Sequence, residues 1–149
     1  MQIKKSLAVT IAAISLTAMA QELKIGWASR DVTPKDAIAI PGQFHLRISK
    51  GVRDPITLTT LVIDNGSDSV IFLSADITSV RSFLLDKIRE KTAKLNPEIP
   101  VQKILMNATH THTGPNSRTS AEYPSPETFT DDSGKTVKVM SGDDYLEFI

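Results

Sequence analysis

"ITLTTLVIDNGSDSVIFLSAD", from Ile56 to Asp76, is the stretch that decides the fold. Ile56 to Ile63 is β-branched and apolar, which suits a pleated, half-buried surface. Asn65-Gly66 is a strong hairpin signal, because both residues tolerate the positive φ that tight hairpin turns demand. Val70 to Leu73 is a second apolar run. Two antiparallel strands joined at a tight turn are predicted, the second ending at Ser74-Ala75-Asp76.

Working outward, "ITSVRSFLLDKIREKTAKLNP" follows. Val80, Phe83, Leu84, Ile88 and Leu95 recur at helical spacing, with charged residues on the other side. Thr78 or Ser79 can cap the helix, and Asn96-Pro97 stops it. "VQKILMNATHTH" then predicts a strand from Val101 to about Ala108. Two strands joined by one helix in one sheet run parallel, with a right-handed crossover. The fold class is therefore α/β, a mixed sheet with a hairpin leading into a strand-helix-strand unit. Ligands of open α/β sheets bind beyond the carboxyl ends of parallel strands. Those ends carry Asp76 on one strand and His110 and His112 on the other, so the topology brings all three to one candidate site.

The flanks are less regular. "LKIGWASRDVTP" (Leu23 to Pro34) predicts a first strand with Leu23, Ile25 and Trp27 on one face. Lys35 to Pro55 reads mostly as loop, with turns at Pro41-Gly42, Gly51 and Pro55. Asn116 to Lys135 is rich in Ser, Thr, Pro, Asp and Glu and reads as a long exposed loop. "KTVKVM" is a short strand candidate. Ser141 looks like a helix N-cap, with Asp143 and Asp144 in the first turn. Tyr145, Phe148 and Ile149 begin an apolar stripe without a C-cap, as in a helix cut short, so a longer natural chain is expected.

Residues 1–20 read as a secretory leader: Lys4 and Lys5, an apolar stretch from Leu7 to about Ala18, then Ala18-Met19-Ala20 as a cleavage pattern. The apolar run is short for a bilayer span and no second one follows, so no transmembrane segment is expected in the mature chain. The location expected is secreted or periplasmic, and residues 21–149 form the functional part. Removing the leader takes two of the 17 basic residues and none of the 17 acidic ones, leaving a slight acidic excess. No basic patch argues for nucleic acid. With no cysteine in the chain, disulfides and thiolate metal sites are excluded.

Two of the three histidines stand in "ATHTHTGP", Ala108 to Pro115. In extended backbone, residues i and i+2 point to one side, so His110 and His112 can face one metal ion. Alternatively, one binds the ion while the other works beside it. Zinc favours imidazole, and its catalytic sites commonly take three protein ligands and an acidified water. Thr109, Thr111 and Thr113 would face away or support the ligands, and Gly114 lets the backbone turn. A lone His-x-His is a weak signal, strengthened here by its place at a strand end. Asp76 could be a third ligand or a plain helix cap. His45 reads as a surface or packing histidine, and Arg47, Arg53 and Asp54 as ordinary surface pairs.

"GWASRDVTP", "TTLVIDNGSDSVIFLSADI" and "ILMNATHTHTGP" together resemble the N-terminal catalytic domain of the neutral/alkaline (non-lysosomal) ceramidase family. The resemblance covers about Ile25 to Pro115, and its last segment is the specific part. It implies zinc-dependent hydrolysis of the ceramide amide to a sphingoid base and a fatty acid. His110 matches a zinc ligand. His112 matches a proton-transfer or transition-state-stabilising group beside the metal. Asp76 matches the acid of Ser-x-Asp, in a supporting role. The family's later His, Glu and Tyr ligands have no counterpart here, so this chain is expected to be inactive alone. The resemblance implies a lipid-like amide substrate and allows peripheral membrane contact. Two rivals stand beside it: another His-x-His metallohydrolase, and an exported binding module in which the histidines are structural.

Overall fold

A computed structural model describes residues 22–149, so the leader expected over residues 1–20 lies outside the described residues. The hairpin forms as its sequence dictates. Strands β3 (Thr57–Asp64) and β4 (Ser69–Ala75) pair antiparallel from Leu58↔Ala75 to Asp64↔Ser69. The connection is longer than a two-residue turn. Asp64↔Ser69 is the last pair, and the Asn65 side-chain oxygen accepts from the N–H groups of Ser67 and Asp68. Asn65 thus acts as an Asx acceptor, and Gly66 takes the positive φ of +84°.

Helix α1 (Ser82–Leu95) carries the chain from β4 to β5 (Ile104–Ala108), and β4 and β5 pair parallel, as the strand-helix-strand order requires. With β1 (Lys24–Asp31) antiparallel to β3, the sheet runs β1-β3-β4-β5. Three local expectations are corrected. Neither Thr78 nor Ser79 caps α1, which starts after Arg81 without a side-chain cap. The Thr78 hydroxyl is spent instead on the Thr111 carbonyl. Val101–Lys103 forms a 3-10 turn rather than strand. Leu95, the last residue of α1, is 87% exposed, so it does not join the buried stripe.

The main core lies between the helices and one face of the sheet. Ala75, Ile77, Leu84 and Leu146 are buried together, with Leu58, Phe83, Ile88 and Met106 against them. Full burial of a side chain such as Leu84 contributes about 1.5–3 kcal/mol. The other face follows from the register: Trp27 opposite Leu61, Leu61 opposite Phe72, Phe72 opposite Leu105. Trp27, Phe72 and Leu105 are all exposed there.

The segments expected to be loop are more ordered than their composition suggests. Lys35–Pro55 contains β2 (Ala37–Ile38) and a bridge from Ala39 to Ile48. β2 pairs parallel to β7 (Thr136–Met140), which pairs antiparallel to β6 (Thr128–Thr130). Asn116 and Ser117, at the start of the supposedly exposed loop, are buried. Asn116 can be buried because its side chain closes on itself: the amide donates to the Arg118 carbonyl and accepts from the Arg118 N–H.

Helix α2 (Gly142–Phe148) bears out its cap: Ser141 Oγ accepts from the Asp144 N–H at 3.0 Å, with Asp143 and Asp144 in the first turn. Tyr145 is fully buried and donates to the Val32 carbonyl at 3.0 Å. Burial, then the negative charges of Asp76 and Asp31, push its phenol well up, so it stays a donor. Tyr145→Phe should therefore cost about 1–2 kcal/mol, measured by urea denaturation. An unchanged midpoint would show that the Val32 carbonyl loses nothing.

Candidate functional site

β4 and β5 end side by side at Ala75↔Ala108. The chain beyond each end builds the site. Beyond β5, the backbone does not stay extended. His110 has φ +60°, a left-handed conformation uncommon for a residue with a side chain. That kink, rather than strand alternation, turns the two imidazoles towards each other. Their Nε2 atoms lie 3.3 Å apart, and the rings meet edge to face with centroids 4.9 Å apart. Residues in sparsely populated backbone regions tend to cluster at functional sites, where the surroundings over-determine them.

The surroundings here are explicit. His110 Nδ1 lies 2.6 Å from the Thr78 carbonyl. A carbonyl only accepts, so Nδ1 must donate, and the neutral ring keeps its lone pair on Nε2. The Thr78 hydroxyl holds the Thr111 carbonyl at 3.0 Å, so one residue grips the kinked His110 and the residue that follows it. Gly114 is buried because a Cβ there would stand 2.5 Å from the Asp76 carbonyl oxygen and 2.9 Å from Thr111 Cγ2. Its φ is not positive. The glycine serves close approach between the two strand ends, not a sharp turn as expected.

Asp76 stands between β3 and the histidine segment. Its carboxylate accepts from the Thr57 N–H at 3.0 Å and the Thr57 hydroxyl at 2.7 Å. Burial pushes its carboxyl up, but the Thr57 hydroxyl and N–H, with the Thr109 hydroxyl, outweigh that and hold it below its ordinary value. The acid thus ties the residue before His110 to the start of β3. Its partners are threonines, not the imidazoles.

His112 is held by residues the sequence did not single out for this task. Arg47 Nη2 donates to the His112 carbonyl at 2.5 Å and to the Pro41 carbonyl at 3.3 Å. Among the described residues it forms no ion pair, contrary to expectation, whereas Arg53 and Asp54 do pair at 3.8 Å. The backbone of Gly42 lies against the His112 ring: a Cβ there would be 2.6 Å from Cγ. The only sequence signal for this was the Pro41-Gly42 turn. His45 is exposed at the tip of the same segment.

His110 and His112 are themselves open to solvent. A cavity of about 920 Å³ opens on the threonine side of the segment, lined by Asp76, Thr111, Thr113, Lys50, Arg53 and Phe129 among others. Neither histidine lines it.

As metal donors, the pair fits zinc in kind and in spacing. Two nitrogens on one tetrahedral zinc, each at about 2.0–2.1 Å, stand about 3.3 Å apart. The pair falls short in number. Among the described residues, no group of three or more His, Cys, Asp or Glu side chains is placed to hold a metal. His110 and His112 are two donors where a catalytic zinc commonly takes three.

The hairpin leading into a strand-helix-strand unit is a fold shared with solved ceramidase structures. The solved structure of neutral ceramidase from Pseudomonas aeruginosa matches with a TM-score of 0.63 at 14% identity, over 84% of this chain and 20% of that one. A ceramidase complexed with C2 matches with a TM-score of 0.60 at 14% identity, over 84% of this chain and 19% of that one. The chain thus spans about a fifth of the length of the structures it matches. No protein-family model matches the chain, and no curated protein matches it significantly.

Proposed function

We propose that this chain carries part of the catalytic site of an exported, zinc-dependent amide hydrolase, with an N-acylsphingosine as the substrate of the complete enzyme. The observation that supports it is the convergence of the His110 and His112 Nε2 atoms at the end of β5, with the His110 tautomer set by the Thr78 carbonyl.

In this reading His110 holds the zinc through Nε2. The metal, when bound, polarises the amide carbonyl and acidifies water. His112 holds or moves a proton at Nε2, within reach of the same centre. Thr78 holds the His110 ring and the Thr111 carbonyl, and Asp76 supports the segment through Thr109. The two residues bring nitrogen donors only, so the rest of the ligand set comes from elsewhere and the chain does not turn over substrate alone. The substrate is lipid-like, and contact with a membrane surface is the natural way to meet it. The exported location rests on the leader.

The test is zinc titration of the purified chain by calorimetry, with His110→Ala beside it and ceramide hydrolysis followed in parallel. The expected result is measurable zinc binding, weakened at least about tenfold, or about 1.4 kcal/mol, in His110→Ala, and no hydrolysis by the chain alone. Equal binding by both proteins would sink the metal reading. It would favour an exported binding module with structural histidines.

A further inference from the structure

The segment from Ile38 to Ser49 is a short hairpin that lies across the histidine segment. Ile40 N–H donates to the Arg47 carbonyl, and Ser49 N–H to the Ile38 carbonyl, each at 2.8 Å. Ala39 and Ile48 are bridged and buried. The hairpin is anchored on the far side of the site, where the buried Asn116 donates its N–H to the Ala39 carbonyl at 2.9 Å. Its other end reaches His112 twice. Arg47 Nη2 joins the carbonyls of His112 and Pro41, and Gly42, at φ +94°, lies close against the imidazole.

We infer that Arg47 and Gly42 are positioning residues for His112, and that this hairpin, rather than the strand end, sets where the His112 ring stands relative to His110. Three observations converge on this. Arg47 spends its donors on carbonyls and pairs with no carboxylate among the described residues, so its charge is committed to the backbone of this junction. Its Nε is buried without a partner, a cost tolerated only where the rest of the group is held tightly. The space beside the ring is too small for any side chain at position 42, so the ring has no room to swing towards the hairpin.

Arg47 acts by tension and Gly42 by contact. The guanidinium holds the carbonyl of His112 and that of Pro41 together, which keeps the following Gly42 backbone beside the imidazole. Loosening either leaves the ring free to rotate about its side-chain bonds, as an exposed histidine ordinarily does.

The inference rests on reading His112 as the working partner of His110, and the test does not need activity. NMR on the labelled chain reads two signals: the cross-relaxation between the His110 and His112 rings, and the ring-current shift of the Gly42 Hα. In Arg47→Ala both should be lost while the methyl signals of Ile77, Leu84 and Leu146 stay in place. Arg47→Lys, which keeps a cationic donor, should restore part of each. Both signals surviving in Arg47→Ala overturns the inference and leaves Arg47 a plain stabiliser of its loop. Should Arg47→Ala disturb the core methyls, Gly42→Ala decides: displacement of the ring by the new methyl removes the inter-ring signal, and its persistence overturns the inference. Zinc binding is read separately, so the positioning role and the metal reading can each fail alone.

Discussion

Replacing Gly114 with alanine should destabilise the chain by about 2–3 kcal/mol and dislodge the histidine segment. The new Cβ would stand 2.5 Å from a backbone oxygen, that of Asp76, and 2.9 Å from Thr111 Cγ2. A flexible side chain could swing away, but a backbone carbonyl at a strand end cannot. Asp76 N–H donates to the Thr57 carbonyl, and the neighbouring Ala75 carbonyl accepts from Thr109, so this part of β4 is held from two sides. The segment carrying Gly114 must therefore move, and the Thr78 grip on Thr111 and His110 goes with it. Thermal denaturation measures the loss, and the inter-ring signal of the two histidines reports the displacement. A variant as stable as the parent, with that signal intact, would show that the two strand ends stand further apart than 2.5 Å implies.

Asp76 carries the second large effect. Asp76→Ala leaves the Thr57 N–H and hydroxyl, both half-buried, without their charged acceptor. Hydrogen bonds to a charged group are worth about 1.5–3 kcal/mol, so a loss of about 2–3 kcal/mol is expected. The pH dependence has a definite sign. The folded carboxyl titrates below its unfolded value of about 4, so its contribution is complete above that value. It is lost as the pH falls through the unfolded value and on through the lower folded one. Asp76→Asn cannot titrate there, so its stability should fall less steeply between about pH 5 and pH 3 than the parent's. Equal slopes in urea denaturation across that range would mean that the carboxylate is not what Thr57 binds.

How much of this was legible in advance follows from the range of the interactions involved. The hairpin, helix α1 and the pairing of β4 with β5 rest on patterns that repeat over neighbouring residues: apolar periodicity, Asn65-Gly66, Asn96-Pro97. A helix between two strands of one sheet leaves one economical arrangement, so the meeting of the two strand ends could also be argued from order alone. The cap at Ser141 is equally local, one hydroxyl and the N–H three residues on.

The details that make a site were not local. Thr78 looked like a helix cap because threonine often is one. In the folded chain its hydroxyl and carbonyl are taken by residues 33 and 32 positions away. Leu95 fits the helical stripe, but no described residue covers it at the end of α1. Arg47 looked like a surface charge, since nothing nearby in sequence shows that the His112 carbonyl, 65 residues on, will come within reach. The facing of the two histidines was anticipated, but from the wrong cause: a kink at His110 brings the nitrogens together, where extended backbone had been expected. The sequence by itself determined the class of fold and the meeting of the two strand ends beside which the two imidazoles stand. Only the tertiary structure decided the tautomer of His110, the spacing of the two rings and the hairpin that braces His112, because each depends on contacts between segments far apart in the chain.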